Sequence, residues 1–237
     1  MTCVAGRTLA LGLLGAAAWS APAPAAAVPA FARPFGIRLG LQHDRGVALT
    51  FDDGPHAQGT PAVLDVLAGA GAKATFFLVG EQVDRFPSLA AEIAAAGHEV
   101  AVHGYRHRLQ LRRPPSTFAA DLDRAVAVIG EATGRSPTLY RPPYGIFSLA
   151  GLMVVRRRGL EPLLWTRWGK DWRAYATGAS ISALVCSRLG PGDVVVLHDA
   201  DHYSSPGAWR NTAAALPSIV DAVAALGVRC CSVSQPT

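Results

Sequence analysis

Gly46-Val47-Ala48-Leu49-Thr50-Phe51-Asp52-Asp53-Gly54-Pro55 is an apolar, partly β-branched run that stops on two acids and a Gly-Pro turn. Gly46 to Phe51 reads as a strand. Gly54-Pro55 ends the strand at once. Neighbouring residues on a strand face opposite ways, so Asp52 and Asp53 can share a site only because the strand stops there and lets their side chains splay. Taken alone, the two acids read equally well as solvated members of an Asp-Gly-Pro turn.

The same strand-then-turn pattern recurs downstream. Strands are expected over 46–51, 74–79, 99–102, 138–140, 160–165, 193–197 and 228–233. Helices are expected over 60–70, 82–96, 116–133, 148–158, 179–189 and 209–226, with Ser116 as an N-cap and Gly134 beyond the C-terminus of its helix. Strands alternating with helices indicate an α/β fold with a parallel sheet, and about seven repeats favour a TIM-like barrel over an open sheet. Asp52/Asp53, His103/His107, Arg141, Asp171 and His198 each follow the C-terminal end of an expected strand. In a parallel barrel those ends share one face, where active sites are built.

One carboxylate and two imidazoles form the three-ligand set of a catalytic zinc-type site, with a position left for water. The second carboxylate is then free to act on that water. His103-Gly104-Tyr105-Arg106-His107 spaces its histidines so that a helical turn brings both rings to one face, although two unrelated surface histidines share that spacing. Arg141-Pro142-Pro143-Tyr144-Gly145 is a stiff turn, because two prolines fix φ and remove donors. It is either a connector or a means of pairing Arg141 with a site carboxylate and presenting the Tyr144 N–H to an oxyanion. Trp168-Gly169-Lys170-Asp171-Trp172 joins an acid to aromatic surfaces that stack on sugars or fill a core. Val194-Val195-Val196-Leu197-His198-Asp199 delivers a histidine to a strand exit.

Together, in this order, TFDDGP, HGYRH, RPPYG, KDW and VVLHD resemble the NodB-homology polysaccharide deacetylases, carbohydrate esterase family four, over about residues 46–233. The resemblance implies a distorted (β/α)7 barrel and a metal-dependent hydrolase that removes acetyl groups from sugar polymers, usually from N-acetylglucosamine units. It implies Asp53, His103 and His107 as metal ligands and Asp52 as general base. It further implies Arg141 as the residue orienting the base, the Tyr144 N–H as an oxyanion donor, and His198 as the acid tuned by Asp171. Pro143, Trp172 and Leu197 are expected to border the substrate, and Val195 to shape an acetyl-methyl pocket.

Three positions depart from the family pattern. Gly104 stands where a Ser or Thr often braces the histidine loop, Trp168 where a first acid often precedes Asp171, and Val195 where a leucine is usual. The implied cofactor is a divalent metal, zinc before cobalt, nickel or manganese. The alternatives are an O-acetyl esterase on xylan or another acetylated glycan, and a non-catalytic carbohydrate-binding protein. The second would be expected to lack a ligand or the base.

The chain has 237 residues, half of them hydrophobic and 16% charged, against roughly 25% in ordinary domains, so one well-packed domain is expected. The net charge of +5 is carried by arginine, with Lys73 and Lys170 the lysines. Arg106/Arg108/Arg112/Arg113 and Arg156/Arg157/Arg158 would suit an anionic envelope polymer or a membrane surface, or are simply solvated. No nucleic-acid motif is present, and oligomeric state is not written in the sequence.

Residues 1–34 read as a signal peptide, with Arg7 before an apolar run over 9–19 and an Ala/Pro-rich stretch after it. An uncleaved anchor, or an apolar helix packed on the domain, is the alternative. Residues 35–237 form the expected catalytic domain, secreted or associated with the cell envelope. Cys186, Cys230 and Cys231 would remain after cleavage, as small buried hydrophobes or with Cys186 bonded to one of the C-terminal pair.

Overall fold

The structure, a computed structural model, describes residues 15–234. Strand β1 (Gly46–Asp52) is buried along its whole length and sits centrally in a parallel sheet. It is flanked by β2 (Thr75–Leu78) and β7 (Val194–His198). Beyond β2 lie β3 (Glu99–Val102), β4 (Leu139–Tyr140) and β5 (Glu161–Pro162); beyond β7 lies β6 (Arg167–Trp168). Strand β8 (Arg229–Cys231) pairs with the first residues of β1. The helices are α1 (Gly59–Gly69), α2 (Gly80–Arg85), α3 (Pro87–Ala95), α4 (Pro115–Thr133), α5 (Leu149–Arg157), α6 (Gly178–Cys186) and α7 (Ala208–Ala225).

The two edges of the sheet, β5 and β6, are separated in the chain only by residues 163–166. The sheet therefore curls into a distorted, incompletely closed (β/α)7-type barrel, the fold class expected. The strand expected over 160–165 shortens to β5, and Leu163 just beyond it forms an isolated parallel bridge with Arg38. The Arg38 N–H donates to the Pro162 carbonyl, and the Leu164 N–H donates to the Arg38 carbonyl. Neither β5 nor β6 can then pair with the other.

Strand alternation divides the core. Leu49, Phe51, Phe76, Leu78, Val195 and Leu197 face outward and pack under the helices, against residues such as Leu67, Ile93, Leu122 and Leu216. Ala48, Phe77, Ala101, Leu139 and Val194 fill a smaller interior cluster. Truncating a fully buried ring such as Phe76 to alanine would cost about 3–5 kcal/mol.

Two expected boundaries move. The helix expected over 82–96 is two helices, because Pro87 lacks an N–H and drives Phe86 out of the helical region, to φ −133° and ψ 56°. Helix α4 begins at Pro115, and no side chain caps it, so Ser116 lies inside the helix rather than at its cap. Gly134 does end it, at φ 66°.

Of the expected leader, residues 1–14 lie outside the described residues. Residues 15–20 are helical, and short 3-10 turns follow at Ala23–Ala26, Pro29–Phe31 and Arg33–Phe35. This part packs on the barrel: Ala25 and Ala32 are buried, and Trp19 donates its indole N–H to the Leu111 carbonyl. Among the described residues no helix is long and apolar enough to cross a membrane. Cys186, Cys230 and Cys231 are free thiols.

Candidate active site

Asp52 is the last residue of β1, in register with Phe77 of β2 and His198 of β7. The strand breaks at Asp53 itself, which takes a left-handed φ of 78°. This conformation, costing about 1–3 kcal/mol in a non-glycine residue, turns the second carboxylate toward the same pocket as the first. Tyr144 (φ 63°) and Lys170 (φ 51°) are the other described non-glycine residues of positive φ. Gly54 follows where no side chain fits, since a Cβ would lie 2.5–2.9 Å from the Asp199 carboxylate. Asp199, fully buried, accepts from the Thr60 hydroxyl, which in turn accepts from the His56 N–H at 2.7 Å.

Asp53, His103 and His107 converge. Their facing atoms are Asp53 Oδ1 with His103 Nε2 at 3.5 Å and His107 Nε2 at 3.3 Å, all nearly buried. His103 Nδ1 lies 2.9 Å from the Arg141 carbonyl. A carbonyl only accepts, so Nδ1 carries the proton and Nε2 presents a lone pair. Burial holds His103 well below its ordinary 6.5, and holds His107 down to about 3. Burial pushes Asp53 up to about 7; His198 pulls it back while Asp52, Asp199 and Asp171 push further. Asp53 Oδ1 has no hydrogen-bond partner among the described residues. Neutral imidazole nitrogens aimed at an unsatisfied carboxylate oxygen are the donor set of a divalent cation, so the residues fit a metal.

A second group, His56, Asp201 and His202, is also compact. His56 Nδ1 accepts from the N–H groups of Gln58 (3.2 Å) and Gly59 (2.9 Å). Its proton therefore sits on Nε2, 3.2 Å from Asp201 Oδ1, and no lone pair is left for a cation. This group is a loop hydrogen-bond network rather than a metal centre.

Behind Asp52 lies Arg141, fully buried, with Nη1 2.6 Å from Asp52 Oδ1 and 2.8 Å from the Thr50 hydroxyl. Its Nη2 donates to the Leu164 carbonyl at 2.8 Å, and Phe77 stacks under it at 4.0 Å. On the opposite side, His198 Nδ1 lies 2.9 Å from Asp171 Oδ1. The other Asp171 oxygen accepts from the His198 N–H at 2.7 Å and from the Thr212 hydroxyl at 2.8 Å. Burial pulls His198 down, but Asp171 first, then Asp53 and Asp52, lift it to about 10.

These groups border a cavity of about 260 Å³. Asp52, Asp53, His103, His107 and His198 supply its polar wall, while Tyr144, Trp168, Trp172, Val196 and Tyr203 supply much of the rest. Arg141 and Asp171 stand behind the wall. Two expectations need correction. Leu197 is buried in the outer core and does not line the cavity; Val196 does. Since His198 points inward, strand alternation sends Val196 inward and Leu197 out, so this signal was already present in VVLH. Pro143 is buried in the turn below Tyr144 and does not reach the cavity either. Trp165 and Ser204 also line it, without any cue in the sequence.

Residues 40–163 match the polysaccharide deacetylase family. The chain is 31% identical over 193 residues to a chitooligosaccharide deacetylase of Azorhizobium caulinodans, covering 78% of this chain and 91% of that protein. It is 32% identical over 195 residues to a peptidoglycan-N-acetylglucosamine deacetylase of Bacillus cereus, covering 81% and 88%. The crystal structure of the Bc1960 peptidoglycan N-acetylglucosamine deacetylase superposes with a TM-score of 0.79 at 26% identity, over 86% of this chain and 94% of that one. With family match, relatives and architecture in agreement, the chain belongs to the NodB-homology polysaccharide deacetylases, carbohydrate esterase family four.

Proposed function

We propose that this protein removes acetyl groups from N-acetylated sugars of a polysaccharide, in a divalent-metal-dependent hydrolysis that yields acetate and a free amine. The observation that carries this reading is the convergence of Asp53, His103 and His107 beside a separate carboxylate, Asp52, with His198 across the same cavity. The relatives named above act on chitooligosaccharides and on peptidoglycan N-acetylglucosamine.

A divalent cation held by Asp53, His103 and His107, zinc before cobalt, nickel or manganese, would polarise the acetyl carbonyl and acidify the attacking water. Asp52 accepts the proton of that water. The Arg141 guanidinium donates to Asp52 Oδ1 and fixes its aim. The Tyr144 N–H, set in the left-handed turn, donates to the oxyanion at the acetyl carbon, where one lost donor costs about 3 kcal/mol. An amine leaves poorly unless protonated. His198, charged at neutral pH and tied through Nδ1 to Asp171, gives it the proton from Nε2. Val196 offers an apolar wall to the acetyl methyl, and the Trp168 and Trp172 rings offer surfaces for a sugar.

The leader-like start of the chain supports a secreted or envelope-associated location, with a carbohydrate polymer as partner. The packing of residues 15–35 on the barrel supports retention of that segment over its removal. The test of the reaction is acetate release from N-acetylglucosamine oligomers and from acetylated xylan, with chelator and after zinc is restored. Chelator-sensitive release from the oligomers is expected; turnover of the ester alone would overturn the N-deacetylase reading.

A further inference from the structure

The two imidazoles of the ligand set are held differently. His103 is oriented by its Nδ1 hydrogen bond to the Arg141 carbonyl, but His107 Nδ1, also buried, has no partner outside its own residue among the described residues. Metal-binding histidines nearly always have one. What faces the His107 ring is Tyr203, with ring centroids 4.2 Å apart and planes inclined by only 10°. Tyr144 closes on the same ring edge-on at 4.6 Å.

Tyr203 is itself anchored. Its hydroxyl donates to Glu81 Oε1 at 2.8 Å and accepts from Gln82 Nε2 at 2.9 Å. Glu81 and Gln82 lie in the first turn of α2, and that turn also docks the histidine loop. The Gly80 N–H donates to the Gly104 carbonyl at 2.9 Å, and the Glu81 N–H to the Tyr105 carbonyl at 2.8 Å. One helix start thus ties both the backbone leading to His107 and the ring stacked on its face. A side-chain brace from position 104 would be strained, because Gly104 sits at φ 91°.

We infer that Tyr203 is a positioning residue for the metal centre: its ring, tethered by Glu81 and Gln82, aims His107 Nε2 at the ligand point in place of a hydrogen bond to Nδ1. This rests on the reading of Asp53, His103 and His107 as ligands. A ring free to rotate would spread Nε2 over many directions and weaken the cation's hold. Supporting groups of this kind contribute roughly 10–100-fold to metal affinity.

The test is zinc affinity of the full-length protein, measured by competition with a chromophoric chelator, alongside the visible absorption spectrum of the cobalt-loaded form and the melting temperature without metal. Tyr203→Leu and Tyr203→Gln, which remove the aromatic face from a partly exposed loop position, are both expected to weaken zinc binding about 10–100-fold and shift the cobalt bands. Both should melt, metal-free, close to the parent. Tyr203→Phe keeps the face but loses the hydroxyl tether, so its affinity should fall between the parent and these two variants. Parent-like zinc affinity in Tyr203→Leu and Tyr203→Gln would overturn the positioning role. Failure of the parent to bind zinc, or undiminished binding by Asp53→Ala, would instead overturn the ligand set itself.

Discussion

Arg141 Nη1 lies 2.6 Å from Asp52 Oδ1, with the arginine fully buried and the aspartate side chain 4% exposed. The same residue accepts the His103 Nδ1 proton on its carbonyl. One side chain and one backbone group of Arg141 therefore fix the proposed base and one proposed metal ligand together. Removing a partner from a buried pair strands the other charge, which typically costs about 3–5 kcal/mol.

Arg141→Met is accordingly expected to lower unfolding stability by about 3–5 kcal/mol, read as a fall in denaturant midpoint at unchanged slope. The double variant Arg141→Met/Asp52→Leu should regain part of that loss. A single variant as stable as the parent would contradict the stranded-charge account.

Asp52→Asn keeps the volume and removes the base. It is expected to bind metal as the parent does while acetate release falls by ~10²–10⁴-fold, the usual contribution of a positioned base. Near-parent turnover, or loss of the metal, would remove Asp52 from that role.

The pH profile tests the acid. His198 is pulled down by burial but lifted to about 10 by Asp171, then Asp53 and Asp52. Its folded value lies above its ordinary 6.5, so its contribution to stability is fully present below about 6.5 and is lost as pH rises through about 10. As a general acid it acts protonated, so turnover should fall on the alkaline side. Asp171→Asn removes the leading upward influence and should carry that alkaline limb to lower pH. A limb in the same place would argue against His198 as the titrating acid.

Much of this is legible in the sequence. The alternation of strands and helices indicates the parallel α/β fold, and the polar residues after successive strands mark the face where the cavity lies. What escaped the sequence depends on directions in space. The turn is made at Asp53 itself, by a left-handed φ that aspartate tolerates better than most residues but that the sequence does not single out at this position. Leu197 was expected in the pocket because the family pattern emphasises it, although alternation from His198 favours Val196. The bridge between Leu163 and Arg38, more than a hundred residues earlier in the chain, is a tertiary contact that periodicity does not reveal. Tyr203 could be suspected only from its proximity to His198 in the chain, since its stack on His107 is a tertiary fact.

Gly54 offers a steric test of the acid pair. In Gly54→Ala the added Cβ would meet the buried Asp199 carboxylate at 2.5–2.9 Å, so the turn carrying Asp53 must shift. A loss of about 1–3 kcal/mol is expected, together with weaker metal binding. Full metal affinity in a folded Gly54→Ala would show that the turn has more room than the structure gives it.

The most direct test of the whole account is metal content and acetate release measured on the same preparations of the parent and Asp53→Ala. The parent is predicted to hold one divalent ion per chain and to release acetate from an N-acetylglucosamine oligomer, and Asp53→Ala to do neither. An Asp53→Ala protein that kept both its ion and its activity would contradict the account.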